Sequence, residues 1–254
     1  MMTMHPRLPS PLVAALLCCA LACRPHGDET PAAAGSDAFA PASDLSAELA
    51  AGGHIDLRWK NHAREAGGQF VEFNMQAGEE FTLLEAVPAE ATTLRHPDVA
   101  AETAFSYRVR TVFGRASDVV EVATQAAPPS GAPPLEEGAL PPESGTAPSA
   151  LARPLRNAET IAEARPAGLT VALAATTTAD LRWKDRASDE EGYLVEMAAG
   201  DAREFKVCAL LPADATSFRK IQLPPNARVW FRVRAYFLGT PSNVAGVTTP
   251  PSRT

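Results

Sequence analysis

The sequence predicts an all-β protein built from two similar sandwiches. Segments of four to eight residues alternate between apolar and polar side chains, as in Leu45, Ala47 and Leu49. Aromatic residues make up only 6% of the 254 residues while prolines number 23, a composition that suits small β-domains joined by proline-rich segments. The motif DLRWK occurs twice, at 56–60 and again 124 positions later at 180–184.

The start of the chain has the features of an export signal. Arg7 is the one unambiguous positive charge before an uncharged apolar run from Leu12 to Ala22. Eleven helical residues span about 17 Å, well short of the ~30 Å hydrocarbon core of a bilayer. We therefore expect residues 1–22 to be a signal peptide that is removed on export, with a signal anchor as the alternative.

The end of this signal resembles the lipobox of bacterial lipoproteins. It reads Ala20-Leu21-Ala22-Cys23, although the family usually has Leu where this chain has Ala20. Ala20-x-Ala22 also suits ordinary signal peptidase, which would cut at the same bond. The resemblance implies an acylated Cys23 that anchors the mature chain stably. Arg24, in place of the Asp associated with inner-membrane retention, implies the outer membrane.

The DLRWK motif belongs to a repeat that extends over about 70 residues. Each copy contains about seven short alternating segments, which predicts a β-sandwich with Greek-key connections. Near the end the shift grows by one residue, which indicates an insertion in the last hairpin loop of the second copy. The matches include Gly68, Val71 and Glu72 with Gly192, Val195 and Glu196, Tyr107–Arg110 with Phe231–Arg234, and Ser117–Val119 with Ser242–Val244.

Each copy resembles a fibronectin type III domain of the bacterial extracellular sort. The first copy is the looser match, since Gln69 and Ala66 stand where Tyr and Glu are usual, and Phe105 and Val229 replace the corner tyrosine of the two copies. The resemblance implies an immunoglobulin-like sandwich and a non-catalytic binding or adhesion role. In the second copy the matching residues are Trp183, Asp185, Glu190, Gly192, Tyr193, Val195, Leu223, Pro225, Arg232, Val233, Arg234, Ala235, Ser242, Asn243 and Val244.

These features divide the chain into five parts. A disordered spacer at 23–40 follows the signal peptide 1–22. The first domain covers 41–125, a proline-rich linker 126–165, and the second domain 166–250. The linker carries Pro-Pro at 128–129, 133–134 and 141–142, so we expect it to be extended and unpacked. Within it, residues 157–165 favour a helix but are too few to form one alone.

Residues that could carry catalysis or bind metal form no convincing constellation. His54, His62 and His96 lack metal-ligand spacing, and the second copy has no histidine. Asp185, Asp189, Glu190 and Glu191 form an acidic loop that could bind calcium, but the first copy has a far poorer set of ligands there. The resemblance implies that such loops are acidic for turn formation and solubility. We expect no enzyme, no metal and no cofactor. Cys208 lies in an apolar run, which predicts a half-buried strand cysteine outside any disulfide.

The resemblance implies that the strand bearing Arg-Val-Arg neighbours the strand bearing Glu72 or Glu196. Cross-strand Glu–Arg pairs then explain the arginines, which point away from the core because the central valine points inward. Alternatively, this outer face binds a ligand. By the same alternation four apolar side chains point outward and form a candidate ligand face: Phe70, Val112, Leu194 and Tyr236.

The sequence therefore predicts an exported, lipid-anchored envelope protein, periplasmic or at the cell surface, with a secreted soluble protein as the alternative. Its expected role is non-catalytic binding or adhesion to an envelope protein or polysaccharide. The alternative role is a passive spacer without a ligand. The formal net charge of -7 argues against nucleic acid as a partner.

Overall fold

The computed structural model describes residues 38–75, 79–126, 135–140, 151–200 and 202–251. The predicted signal peptide 1–22, Cys23, most of the spacer 23–40 and the three Pro-Pro pairs lie outside these ranges. Within them the chain forms β-strands and no helix, which confirms the all-β fold class. Accordingly, none of the described segments is a helix of the length and apolarity needed to cross a membrane.

Fourteen strands are formed by the described residues, seven in each half of the chain. In the first half they are β1 (Ser43–Ala50), β2 (His54–Lys60), β3 (Ala66–Asn74), β4 (Thr82–Val87), β5 (Thr93–His96), β6 (Ala104–Phe113) and β7 (Val120–Ala123). In the second half they are β8 (Ala167–Ala175), β9 (Thr178–Lys184), β10 (Gly192–Ala199), β11 (Ala202–Pro212), β12 (Ser217–Lys220), β13 (Arg228–Pro241) and β14 (Ala245–Thr248).

The strands assemble into three antiparallel sheets. Two are three-stranded, with the orders β1-β2-β5 and β12-β9-β8. The third has eight strands and is shared by both halves, with the path β11-β10-β13-β6-β3-β4, on which β14 pairs with β6 and β7 with β13. Each small sheet packs over one half of the large sheet, which gives two immunoglobulin-like sandwiches.

The two halves exchange their last strands. Strand β7 pairs with β13 of the second half, with Ala123 opposite Arg228, and β14 pairs with β6 of the first half, with Thr248 opposite Ala104. The expected hairpin that ends each copy is therefore replaced by a crossing connection. The ranges 41–125 and 166–250 each contribute their final strand to the other sandwich.

The crossing has a physical cause in the length of β6 and β13. Both strands continue past the point where a hairpin would turn, and their ends pair with each other, with Phe113 opposite Phe237. The two buried rings stack with centroids 5.2 Å apart, and the ring of Phe39 contacts both edge-on. Burying such aromatic side chains is worth several kcal/mol relative to exposing them, which stabilises the crossed arrangement.

Matching hydrogen bonds fix each exchanged strand. Ser117 makes two hydrogen bonds with the backbone of Val233. The Val233 N–H donates to the Ser117 hydroxyl (3.0 Å), and the Val233 carbonyl accepts from the Ser117 N–H (2.7 Å). Ser242 bonds Val109 of the first half in the same way (3.0 and 2.9 Å). The Asn243 amide additionally bonds both backbone groups of Leu45 in β1. The repeated serine is thus a strand-exchange contact.

Each sandwich core contains residues from both halves of the chain. The first core surrounds Trp59, Val71 and Tyr107, and includes Ala245 from the exchanged β14. The second core surrounds Trp183, Tyr193 and Phe231, and Val120 and Val122 of β7 pack against it. Neither half therefore holds a complete core of its own.

The linker is not unpacked where the structure describes it. Leu140, Leu155, Ile161 and Ala164 are buried, the last three within the second core. Residues 157–165 form turns with two i→i+4 backbone bonds instead of a regular helix. The expectation of an unpacked linker is wrong for 135–140 and 151–165, because each segment buries apolar side chains against the protein.

The half-buried strand cysteine is confirmed. Cys208 lies on β11 and is a free thiol. Burial raises the pKa of the Cys208 thiol to about 12, so the thiol stays protonated near neutral pH and is a poor nucleophile.

Gly114, where β6 leaves its sandwich, tests the crossing. Its φ of 134° favours glycine, and a Cβ there would overlap the backbone carbonyl oxygen of Ala235. We expect Gly114→Ala to lower the free energy of unfolding by more than about 3 kcal/mol in urea titrations followed by tryptophan fluorescence. Gly53→Ala is the matched control, because Gly53 also has positive φ but open space around it, and should cost about 1 kcal/mol. Equal losses would contradict a tightly packed crossing.

Candidate binding groove

The four residues of the predicted ligand face come together, but they are buried. Phe70, Val112, Leu194 and Tyr236 form an apolar cluster of their own, separate from both sandwich cores, as the strand alternation predicts. Their exposure is 8% or less, because the exchange brings the two halves of the large sheet together and the rings of Phe70 and Tyr236 meet at 5.7 Å. The expectation that they form an exposed face is therefore corrected.

A groove of about 760 Å³ lies against this cluster. Its floor includes Phe70, Val112 and Leu194, and its walls come from both halves of the chain. One wall is β4 with the residues that follow it, from Leu83 to Glu90, and the other includes Glu204–Val207 of β11. The groove exists only because the large sheet is continuous between the halves.

Glu196 holds two arginines at the side of this groove. It accepts hydrogen bonds from Arg232 Nε (2.6 Å) and from Nη2 of Arg234 (3.3 Å), and it is itself buried. The predicted cross-strand pairs are confirmed, since Glu72 pairs likewise with Arg108 (2.5 Å). In both halves the first arginine also lies over an aromatic ring at 4.2 Å, Phe205 for Arg232 and Phe81 for Arg108.

Arg234 is the one buried arginine of the two Arg-Val-Arg motifs. Its Nη1 donates to the carbonyl of Gly114 in the other half (2.6 Å). The Arg234 guanidinium occupies space that a Cβ at position 67 would take, and Gly67 has none. Burial lowers the pKa of Arg234, while the charge of Glu196 opposes that shift. The equivalent Arg110 donates to the carbonyls of Gly239 and Leu238, so each half ties its last arginine to the crossing of the other.

The acidic loop binds backbone groups of the linker and of its own turns. Asp189 accepts from the backbone N–H groups of Leu155 (2.5 Å) and Arg156 (3.3 Å). Carboxylate oxygens of Asp185, Glu190 and Asp214 lie within 4.8 Å of one another. Burial, together with these neighbouring carboxylates, raises the pKa of Glu190.

Backbone and hydroxyl partners account for most of this acidic group. Asp185 accepts from the Ala187 N–H and the Tyr193 hydroxyl, and Glu190 accepts from the Asp214 N–H. These bonds tie the loop to its own backbone and to Tyr193 of β10.

The three histidines have three separate partners. His62 bonds the Ser43 hydroxyl (2.8 Å), His96 bonds the Tyr107 hydroxyl (2.8 Å), and His54 lies 3.7 Å from Asp56. Burial lowers the pKa of His96, which favours its neutral form. No group of three metal-ligating side chains that includes a histidine occurs among the described residues.

Sequence reasoning missed the edge strands that wall the groove. Leu83, Ala86 and Val207 pack against the buried apolar cluster from β4 and β11. Their alternation indicates strands but not that the two strands share one groove, because that depends on how the halves are joined. The one sequence signal is the long run from Arg228 to Leu238, which contains no turn residue.

Comparison with known proteins yields structural neighbours only. No family model matches the chain, and no curated protein matches it. Among solved structures, an Fn3-like protein from Clostridium thermocellum is 28% identical over 30% of this chain and 78% of its own, with a TM-score of 0.27.

Two chicken proteins are also similar. The FN1–FN3 domains of chicken CNTN1 are 14% identical over 85% of this chain and 69% of their own, with a TM-score of 0.27. A two-domain fibronectin type III segment of chicken tenascin is 12% identical over 83% of this chain and 100% of its own, with a TM-score of 0.25. The fold assignment rests on the strand pairing described above.

Removing the charge of Glu196 tests the arginine network. We expect Glu196→Gln to lower the free energy of unfolding by about 3 kcal/mol, because two guanidiniums lose a buried counter-charge. Glu72→Gln is the matched variant in the other half and should cost about 1.5 kcal/mol, since it serves one partly exposed arginine. Urea titration of both variants measures the difference, and a larger loss in Glu72→Gln would contradict the shared role of Glu196.

Proposed function

We propose that this protein is a non-catalytic binding protein of the cell envelope and that its partner lies in the groove between the two halves. The observation that supports this is that the groove is a concave, mainly preformed site lined by apolar and charged residues of both halves. Ion pairs, cation–π contacts and the crossed strands hold its walls in place, which lowers the ordering cost of binding.

The acidic residues near the groove are poorly suited to catalysis. A catalytic carboxyl has to present an oxygen atom to its substrate. The carboxylates of Glu72 and Glu196 are instead held by arginines, Arg108 in the first half and Arg232 with Arg234 in the second. Binding without turnover is the function that these groups support.

The alternative is a passive spacer that holds two attached groups apart. The path of the chain argues against this role. The first and last strands, β1 and β14, lie in the same sandwich and are joined through Leu45 and Asn243. The exchange thus returns the end of the second half to the first sandwich. A spacer of two modules gains length only when its ends lie in different modules.

Anchoring through Cys23 is part of the proposal and rests on the signal sequence. Arg24 follows Cys23 where an Asp is associated with inner-membrane retention, so we propose the outer membrane.

Retention of envelope fractions by residues 24–254 tests this function, since this form lacks Cys23 and cannot bind through a lipid. We expect saturable retention of one envelope species, identified separately as protein or polysaccharide. Leu83→Ser, in the groove wall, should reduce retention about fivefold, which corresponds to about 1 kcal/mol of lost apolar contact. Leu49→Ser, at an exposed position of β1, is the control, and this variant should retain the envelope species as the unmodified protein does.

Two outcomes would count against the proposal. If no fraction is retained by protein that circular dichroism shows to be folded, the binding function is wrong for envelope ligands and the spacer is favoured. If both leucine variants retain the ligand equally, the groove is not the site.

A further inference from the structure

Both walls of the groove are edges of the large sheet. Among the residues that the structure describes, β4 pairs only with β3, and β11 pairs only with β10. Unbroken runs, Leu83–Val87 and Glu204–Val207, line the groove, whereas one face of a strand would contribute only alternate residues. The groove therefore reaches the strand edges, where alternate N–H and C=O groups have no partner within the sheet.

This chain already covers another of its edges with an extended segment. Gly138 of the linker pairs with Arg219 of β12 through two backbone bonds (3.2 and 2.7 Å). A charge pair between Glu137 and Lys220 (2.5 Å) accompanies them. An edge strand of this protein thus binds an extended segment through main-chain hydrogen bonds together with one ion pair.

The groove carries more negative than positive charge that is free to pair. The side chains of Glu85, Glu90 and Glu204 line it and form no ion pair or hydrogen bond within the described residues. Lys206 is the one cation of the groove whose side chain likewise has no partner there. The other charged lining residues are Glu196 and the two arginines that it binds. Three carboxylates against one ammonium favour a basic ligand.

Neither aromatic ring that lines the groove, Phe70 or Phe205, has both faces free to stack on a sugar. Phe70 and Tyr236 are buried against each other, and the Arg232 guanidinium covers one face of Phe205. Unpaired edges and unpaired carboxylates are better matched by a polypeptide than by a polysaccharide.

We propose that the groove binds a basic, extended polypeptide segment of a partner protein, which adds as a strand to the edge of β4. Apolar side chains at alternate positions of the segment would face Leu83 and Ala86, and lysines or arginines would face Glu85 and Glu90. This inference rests on the proposed binding function and names the partner class for the same site.

Strand β4 is the better edge of the two. A bulge interrupts its pairing with β3 at Val71/Glu72, whereas β11 is interrupted twice along β10. Because bulges limit regular pairing, the added strand should be short, with only a few residues in register. Such a contact gives selective binding without exposing a long edge to aggregation.

The test uses the full chain and a short capped peptide of alternating valine and lysine, with binding followed by fluorescence anisotropy at low ionic strength. We expect saturable binding that weakens as salt is added. Two competitor peptides separate the contributions: one carries N-methyl groups on alternate residues and lacks those main-chain donors, and one has glutamate in place of lysine. Both should bind at least tenfold more weakly.

The protein variant is Glu85→Lys combined with Glu90→Lys, which should weaken binding at least tenfold. Glu48→Lys is the control, since Glu48 is exposed on β1 outside the groove, and it should bind as the unmodified chain does. Circular dichroism of each variant verifies that it is folded.

Each remaining outcome overturns the inference in a distinct way. Retention of an envelope polysaccharide by residues 24–254, without peptide binding, overturns the peptide ligand and leaves the binding function. If neither an envelope species is retained nor the peptide is bound, both the peptide ligand and the binding function are overturned. Peptide binding that survives N-methylation and the double charge reversal shows nonspecific attraction. Self-association that disappears in the double variant shows that a second copy occupies the groove.

Discussion

The pairing of β6 with β13 is the constraint on which the rest of the molecule depends. Because these strands run into each other at Phe113 and Phe237, neither can turn back into a hairpin at that point. The last strand of each half must then continue beside the partner strand, which gives the exchange. The eight-stranded sheet, the buried apolar cluster and the groove all follow from this one join.

The exchange also sets how stability is distributed. Each core is completed by the other half, through Ala245 in the first sandwich and Val120 in the second. Arg234 and Arg110 add hydrogen bonds from each half to the crossing of the other. We therefore expect the two sandwiches to unfold together as one cooperative unit, whereas independent tandem modules would unfold separately.

The sequence predicts what is local and misses how the halves are joined. Alternation identifies the strands, and the strand order implied by the fibronectin type III resemblance predicts the ion pair of Glu72 and Arg108. The exchange escapes prediction because the two copies are alike, so β7 carries a pattern that fits either β6 or β13. The burial of Leu155 escapes too, since isolated apolar residues among prolines give no periodic signal. The groove could not be predicted either. The apolar residues beneath it point away from the two sandwich cores and become buried only when the two halves join.

A disulfide test addresses the strand exchange directly. Residues opposite each other on antiparallel strands have the Cα separation that a disulfide needs. In residues 24–254, the pair Ala123→Cys with Arg228→Cys joins β7 to β13, whereas Ala104→Cys with Ala123→Cys would close the hairpin expected of a separate first module. Exchange within one chain predicts that the first pair oxidises in the monomer and the second stays reduced. Oxidation of the second pair, with the first reduced, would contradict the exchange and with it the shared groove.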